Sequence, residues 1–510
     1  MRQYFIGLLI ILITSVNALA QDTDLTPEFD LAKAELESHL RFLASDEMQG
    51  RKTGELTNQI AARYIAEQLR SYGVQRAADL PDYYQQVPFV RSYPADAAYL
   101  KVNDLKFELG SNLVVLGGQG AEVSAKAVFA NYGWVDEETG YNDYEKLDVK
   151  GKIVFVLSGR PDTNNPYEIF ASMSAKPRIA AERGAIAMVE VYKLNFPWRF
   201  FVQNFNKPGM NVASNPEDPL GDQIKIPYLW IDPGTSGIVE TLQDKKSKKL
   251  EFELASTGTN KELVPSQNVI GVVEGSDPEL KNEYVLLSAH YDHVGTGSGA
   301  NGGAVTETDT IFNGARDNGI GTVALIAAAK TLAQAPPKRS VIILAVTGEE
   351  MGLLGSRFYA SNPVIPLKQT IFNLNTDGAG YNDKTKVSIM GFDRVGAAAE
   401  MEKAASTFGL GVIADPAPEQ NLFDRSDNVS FAQKGIPAPT FSPGFTAFDE
   451  VIAKHYHQVS DNPDTVDYDY VLRYAQAFAM AARLIADKDE RPQWKEGDKY
   501  EAAGKTLYGK

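Results

Sequence analysis

The sequence predicts an α/β protein: a mixed, mainly parallel sheet covered by helices, with a mostly β segment inserted ahead of its C-terminal half. Three observations carry this prediction. Short apolar runs alternate with helix-like stretches from residue 267 onward. Residues able to hold a cation end successive apolar runs between Tyr284 and Asp377, which is where open α/β sheets place their sites. Between about residues 120 and 260 the texture shifts to strands and turns that contain no histidine.

Taken in order, residues 1–20 have the form of an export signal: Arg2, an apolar Phe5–Ile13 too short to span a bilayer, and Ala18-Leu19-Ala20 as a small-x-small cleavage site. The expectation is an exported protein, periplasmic or extracellular. No cysteine occurs in the 510 residues, which excludes a lipidated-cysteine anchor, disulfides and thiolate metal sites. No later run approaches ~20 uninterrupted apolar residues, so no membrane anchor is expected. A formal charge of −16 disfavours nucleic acid as a partner.

Asp30–Tyr72 reads as two amphipathic helices, one presenting Leu31, Leu36, Leu40 and Leu43, the other Ile60, Ala61, Tyr64, Ile65 and Leu69. Strand runs follow at Ala127–Ala130, Lys152–Leu157, Gly184–Val189 and Ile226–Ile231. A chain of this length exceeds one hydrophobic core. The expected division is residues 21–119 as the first part of the main domain, 120–260 as the insert, 261–490 as the main part carrying the site, and 491–510 as a tail. The last long helix is expected over Tyr470–Asp487, with Ala475, Phe478, Ala479, Ala482 and Ile485 on one face.

Four of the five histidines, His290, His293, His455 and His457, fall in two short segments beside carboxylates. In His290-x-Asp292 an imidazole can bind metal through one nitrogen while a carboxylate receives the hydrogen bond of the other. Glu349-Glu350 offers two roles, one carboxylate as ligand and its neighbour as general base toward an activated water. Seen singly, Asp317 and Asp377 would be ordinary cap or turn aspartates. Their order along the chain is what informs. Gly297–Gly302 fits G-x-G-x-x-G, but no helix pattern follows to supply a phosphate site.

Ala289-His290-Tyr291-Asp292-His293, Gly314-Ala315-Arg316-Asp317-Asn318, Gly348-Glu349-Glu350-Met351-Gly352-Leu353, Asn375-Thr376-Asp377 and Tyr456-His457-Gln458 together resemble the co-catalytic dizinc aminopeptidase family of bacterial leucyl aminopeptidases and aminopeptidase Y. That resemblance implies a zinc-exopeptidase (phosphorylase/hydrolase-like) fold, peptide substrates and two Zn2+. By position it makes His290, Asp317 and Asp377 ligands of one zinc, with Asp317 bridging to a second that Glu350 and His457 complete. It gives Glu349 the part of general base, Asp292 that of orienting His290, and Tyr456 a contact to the substrate or its oxyanion. His293 matches as a nonligand. Arg316 departs from the acidic residue of many relatives, and Asp424–Asn428 ends in asparagine where histidine is common. The insert resembles a protease-associated domain through Asn142-Asp143-Tyr144, Leu147–Val154 and Gly184-Ala185.

The expected activity is removal of N-terminal residues from peptides. Two other readings stay open: a carboxypeptidase-like or glutaminyl-cyclase-like relative on the same fold, and a noncatalytic receptor-like binding protein. Phe423, Phe431, Phe441, Phe445 and Phe448 are candidates for an apolar pocket wall.

Overall fold

The computed structural model describes residues 29–509 apart from 30, 164–168, 170–171, 196, 221–223, 235, 245–249 and 298–302. The expected signal segment and most of the glycine-rich stretch lie outside the described residues.

The main sheet contains, in chain order, β1 (Tyr84–Tyr93), β2 (Gly209–Val212), β3 (Asn260–Val273), β4 (Tyr284–His290), β5 (Ser340–Val346), β6 (Thr370–Thr376), β7 (Lys386–Met390), β8 (Gly411–Ile413) and β9 (Thr440–Pro443). Its spatial order is β2-β1-β3-β5-β4-β6-β9-β7-β8, with Gln75–Arg76 added beside β3. The centre is parallel, β4 pairing with β5 on one side and β6 on the other, and β6 with β9. Beyond it β5–β3, β3–β1, β1–β2 and β9–β7 are antiparallel. The edge pair β7–β8 is again parallel, so the sheet is mixed, and the expected parallel pairing is limited to its core and that edge. Continuous apolar runs mark strands buried on both faces, and every residue of β5 and β6 is buried.

Four helices flank this core: α1 (Lys33–Leu43), α2 (Leu56–Ser71), α3 (Ile320–Gln334) and α4 (Tyr468–Asp487). α3 is apolar nearly all round, as a helix packed against both strands and another helix must be; it touches β4, β5, β6 and α4. α2 buries Ala61, Ile65 and Leu69 as expected, but Ile60 faces outward, because Asn58 and Ala62 complete the buried stripe instead.

A second, eight-stranded sheet has its own apolar clusters. Its strands run from Ala98–Val102 to Glu251–Gly258. Strands of this sheet precede residue 120: Ala98–Lys101 pairs with Glu253–Ser256, and Leu113–Val115 with Leu229–Ile231. Within 120–260, β2 leaves this sheet and pairs with Phe89–Ser92 of the main one. No helix among the described residues is long and apolar enough to cross a membrane.

Candidate metal centre

All the candidate donors but His457 stand where a strand ends or just before a helix begins. His290 is the last residue of β4, Glu349 and Glu350 follow β5, and Asp377 follows β6. Asp317 comes from the turn before α3, and His457 from the loop before α4. His457 has φ +53, a conformation non-glycine residues seldom adopt and one that concentrates at functional sites. The loops are pinned from behind by Arg51, whose fully buried guanidinium donates to the carbonyls of Leu43, Tyr291, Asn313 and Gly314. Arg316 points away from the donors: it pairs with Asp461 at 2.9 Å and donates to Thr465, tying the Asp317 turn to the segment that carries His457. The acidic-to-Arg departure is absorbed there.

The five predicted ligands converge. His290 Nε2 lies 3.1 Å from Asp377 Oδ1 and 3.4 Å from Asp317 Oδ1. His457 Nε2 lies 3.1 Å from Asp317 Oδ2 and 3.3 Å from Glu350 Oε2. The two oxygens of Asp317 therefore face two different donor groups. Two ligands about 2.1 Å from one tetrahedral zinc stand roughly 3.4 Å apart, so the observed spacings suit a cation between each set. Imidazole and carboxylate donors without thiolate are also the chemistry of catalytic zinc sites. His455 does not join them; its Nδ1 turns to the carbonyl of Ser460.

The orientation of His290 differs from expectation in one detail. Its Nδ1 is 3.2 Å from the main-chain carbonyl of Asp292 and 3.8 Å from that residue's carboxylate. The carboxylate instead accepts from Thr53 Oγ1 at 2.9 Å and from the Glu349 N–H at 3.2 Å. Asp292 thereby links the β4 loop to Glu349. Thr53 carries no motif of its own and was not singled out by the sequence, nor was Ser426, which donates to Asp377 Oδ2 at 2.5 Å.

The buried groups perturb one another strongly. Burial and the charge of Asp317 push the Glu350 carboxyl up, yet hydrogen bonding to His293 and His457 outweighs both and holds it at about 2. Burial, assisted by Asp377, Glu350 and Asp427, raises Glu349 well above the usual carboxylate range against the pull of His290. Burial also pushes Asp427 up to about 7. Adjacent carboxylates held so far apart in acidity suit separate tasks as ligand and proton acceptor.

An open cleft of about 610 Å³ leads to the donors. Met390, Leu422, Phe445 and Phe448 give it an apolar side, Tyr456 stands beside His457 with ring centroids 4.2 Å apart, and Arg425 adds a cation. Of the five phenylalanines proposed for the wall, Phe445 and Phe448 line it. Phe423, Phe431 and Phe441 pack elsewhere, against Trp494, Tyr359 and Tyr474 respectively.

Residues 268–482 match the sequence profile of peptidase family M28. This part of the chain belongs to that family. All the donors above, with Glu349, Asp292 and Tyr456, fall inside the M28 stretch. Aminopeptidase YwaD of Bacillus subtilis (strain 168) is 24% identical over 366 residues, 69% of this chain and 67% of that protein. A vacuolar membrane protease of Kluyveromyces lactis is 33% identical over 129 residues; these cover 25% of this chain and only 12% of that much longer protein. Among solved structures, the chain is similar to an aminopeptidase from Aneurinibacillus sp. strain AM-1, at 20% identity and a TM-score of 0.49, covering 90% of this chain and 95% of that one.

Proposed function

We propose that this chain is an exported, zinc-dependent aminopeptidase that removes N-terminal residues from peptides at the centre formed by His290, Asp317, Glu350, Asp377 and His457. The observation that carries the reading is the two-sided Asp317 carboxylate, with one oxygen toward His290 and Asp377 and the other toward His457 and Glu350. Membership of a peptidase family supports it, as does the similarity to an aminopeptidase over two thirds of the chain.

Two zinc ions held there supply Lewis-acid polarisation of a scissile carbonyl and acidify a water. The protein's own work is proton handling and placement. Glu349 takes the proton of the attacking water and returns it to the departing amine. Asp292 fixes Glu349 by accepting its backbone N–H. Ser426 holds the second oxygen of Asp377, so that the other faces His290. Tyr456 flanks the cleft where a phenol O–H can meet the developing oxyanion. The apolar side of the cleft receives the side chain of the terminal residue. In this reading residues 1–20 are the removed signal, and the second sheet is a protease-associated domain inserted in the catalytic one.

The test is a panel of aminoacyl and N-acetylated aminoacyl p-nitroanilides, assayed with and without chelator, alongside zinc analysis of the purified protein. Chelator-sensitive hydrolysis of the free-amine series alone is expected. Equal hydrolysis of blocked substrates, or cyclisation of an N-terminal glutamine instead, would overturn the aminopeptidase reading; zinc without turnover would favour the receptor-like one.

A further inference from the structure

Residues 491–510, expected as a tail, lie beyond the M28 stretch, which ends at residue 482, and they pack back on the main sheet's surroundings. Val395 and Trp494 form a bridge, and the Lys495 N–H donates to the Arg394 carbonyl at 2.9 Å. Trp494 Nε1 donates to the Gly435 carbonyl at 3.0 Å, and the Tyr508 hydroxyl to that of Thr370 at 2.6 Å. The closing helix, Glu501–Tyr508, lies directly on the turn at Gly435, where φ is +97 and an added Cβ would come 2.5 Å from the main chain of Ala503.

The same segment grips one short stretch of the cleft, the turn Leu422–Arg425. That turn belongs to no strand, and its Asp424 N–H bonds locally, to the Asn421 carbonyl at 3.1 Å, so side chains fix its place. Phe423 packs on Trp494 and Tyr500, ring centroids 6.2 and 6.1 Å away, with the Arg394 guanidinium 3.8 Å from its own. Arg394 is itself paired with Asp498 at 2.7 Å. Asp424 accepts from the Tyr500 hydroxyl at 2.9 Å on one oxygen and from Lys499 Nζ at 2.5 Å on the other. Its neighbours Leu422, Arg425 and Ser426 all line the cleft.

Resting on the aminopeptidase reading above, we propose that Asp424 is a positioning residue for the substrate: the C-terminal segment, through Lys499 and Tyr500, holds its carboxylate and so places Leu422 and Arg425 against the bound peptide. Asp424 touches no reacting atom in this arrangement. A wall held from behind is ordered before the peptide arrives, whereas a released one has to be ordered on binding. That loss falls on substrate and transition state alike, so it raises KM and leaves kcat. Slack in the turn does not pass to the donors, because Ser426, which holds Asp377, is anchored separately by Asn375 Nδ2 at 2.8 Å.

The experiment compares wild type with two double variants. Lys499→Met/Tyr500→Phe removes both donors and keeps the ring on Phe423; Lys499→Arg/Tyr500→Phe restores a cation. Each zinc-loaded protein is assayed on leucyl p-nitroanilide and followed by amide hydrogen exchange over residues 421–430. The first double variant should raise KM about 3- to 10-fold with kcat within about twofold of wild type. It should also speed exchange in that peptide but not in β4 or β5. The second should recover most of both changes. Unchanged exchange and KM in the first double variant would overturn the proposal. So would a lower kcat at unchanged KM, which places the effect at the donors, or faster exchange throughout the chain, which makes the contact a general stabilising one. No hydrolysis by wild type would instead overturn the aminopeptidase reading, and the exchange comparison then decides alone whether Asp424 fixes the wall.

Discussion

At the scale of single residues, the adjacent pair Glu349 and Glu350 shows why neighbours of one type need not share a task. Glu350 is held acidic by hydrogen bonding to His293 and His457, whereas burial leaves Glu349 reluctant to ionise. Replacement Glu349→Gln removes the proposed proton acceptor while keeping shape. It should leave zinc content unchanged and lower kcat by about 10²- to 10⁴-fold, checked by metal analysis beside steady-state kinetics; full activity would remove Glu349 from its assigned role. Asp317→Ala takes a ligand from both donor groups and should lose metal and turnover together. The positions of Glu349 and Glu350 were legible because they follow an apolar run, whereas Asp317, in the turn before α3, was singled out by the resemblance to a family. Thr53 and Ser426 were not, since a lone hydroxyl has no signature until Asp292 or Asp377 is brought within 3 Å. The phenylalanines of 420–450 illustrate the same limit: composition predicts burial, but only pairing geometry decides that Phe445 faces the cleft and Phe441 faces Phe478.

Elements were legible to the extent that their periodicity is local. β5 stands out as an unbroken apolar run from Val341 to Val346, β4 and β6 as apolar runs interrupted by Ser288 and by Asn373 and Asn375, and α1 shows its stripe of Leu36, Leu40 and Leu43. The start of the second sheet was not, because Leu100 pairs with Leu254 more than 150 positions later, and alternation in a strand does not say which sheet receives it. Inside that sheet one contact joins helix Ala175–Glu182 to strand Ala187–Val191: Lys176 Nζ lies 3.1 Å from Glu190 Oε1, both side chains 1% exposed. Tyr228 also donates to that oxygen at 2.8 Å, and Lys176 to the Leu157 carbonyl at 3.1 Å. Lys176→Met strands the Glu190 charge in an apolar layer and should cost about 3 to 5 kcal/mol. The double variant Lys176→Met/Glu190→Gln should cost less than the single one, as an isosteric neutral pair leaves no unpaired charge. Urea unfolding followed by tryptophan fluorescence reads this, Trp230 being buried and bonded to Tyr228 in the same cluster. A single variant as stable as wild type would mean that the pair is not ionised.

For the whole molecule the cluster of donor side chains is a structural joint as well as the proposed site. Its donors come from three strand ends, the turn before α3 and the loop before α4, and Arg51 and Arg316 bind those loops to one another. Six carboxyls, Asp292, Asp317, Glu349, Glu350, Asp377 and Asp427, are gathered there. Mutual repulsion among them opposes folding, and three histidines with the buried Arg51 offset it only partly. Ions that bind the folded chain and not the unfolded one stabilise by mass action, about 2.7 kcal/mol for each at a free concentration 100 times Kd. Chelation should therefore lower the melting temperature of the main-sheet transition by roughly 5 to 10 °C, with full recovery when zinc is returned. The same treatment should leave Asp317→Asn nearly unchanged, because that variant has already lost the shared ligand. The second sheet, whose apolar clusters contain none of the donors, should melt alike with and without metal, so a scan that follows Trp230 separately from total heat uptake distinguishes the two transitions. A melting profile indifferent to chelator would mean that the converging carboxylates are tolerated without a cation, which their spacing and burial argue against.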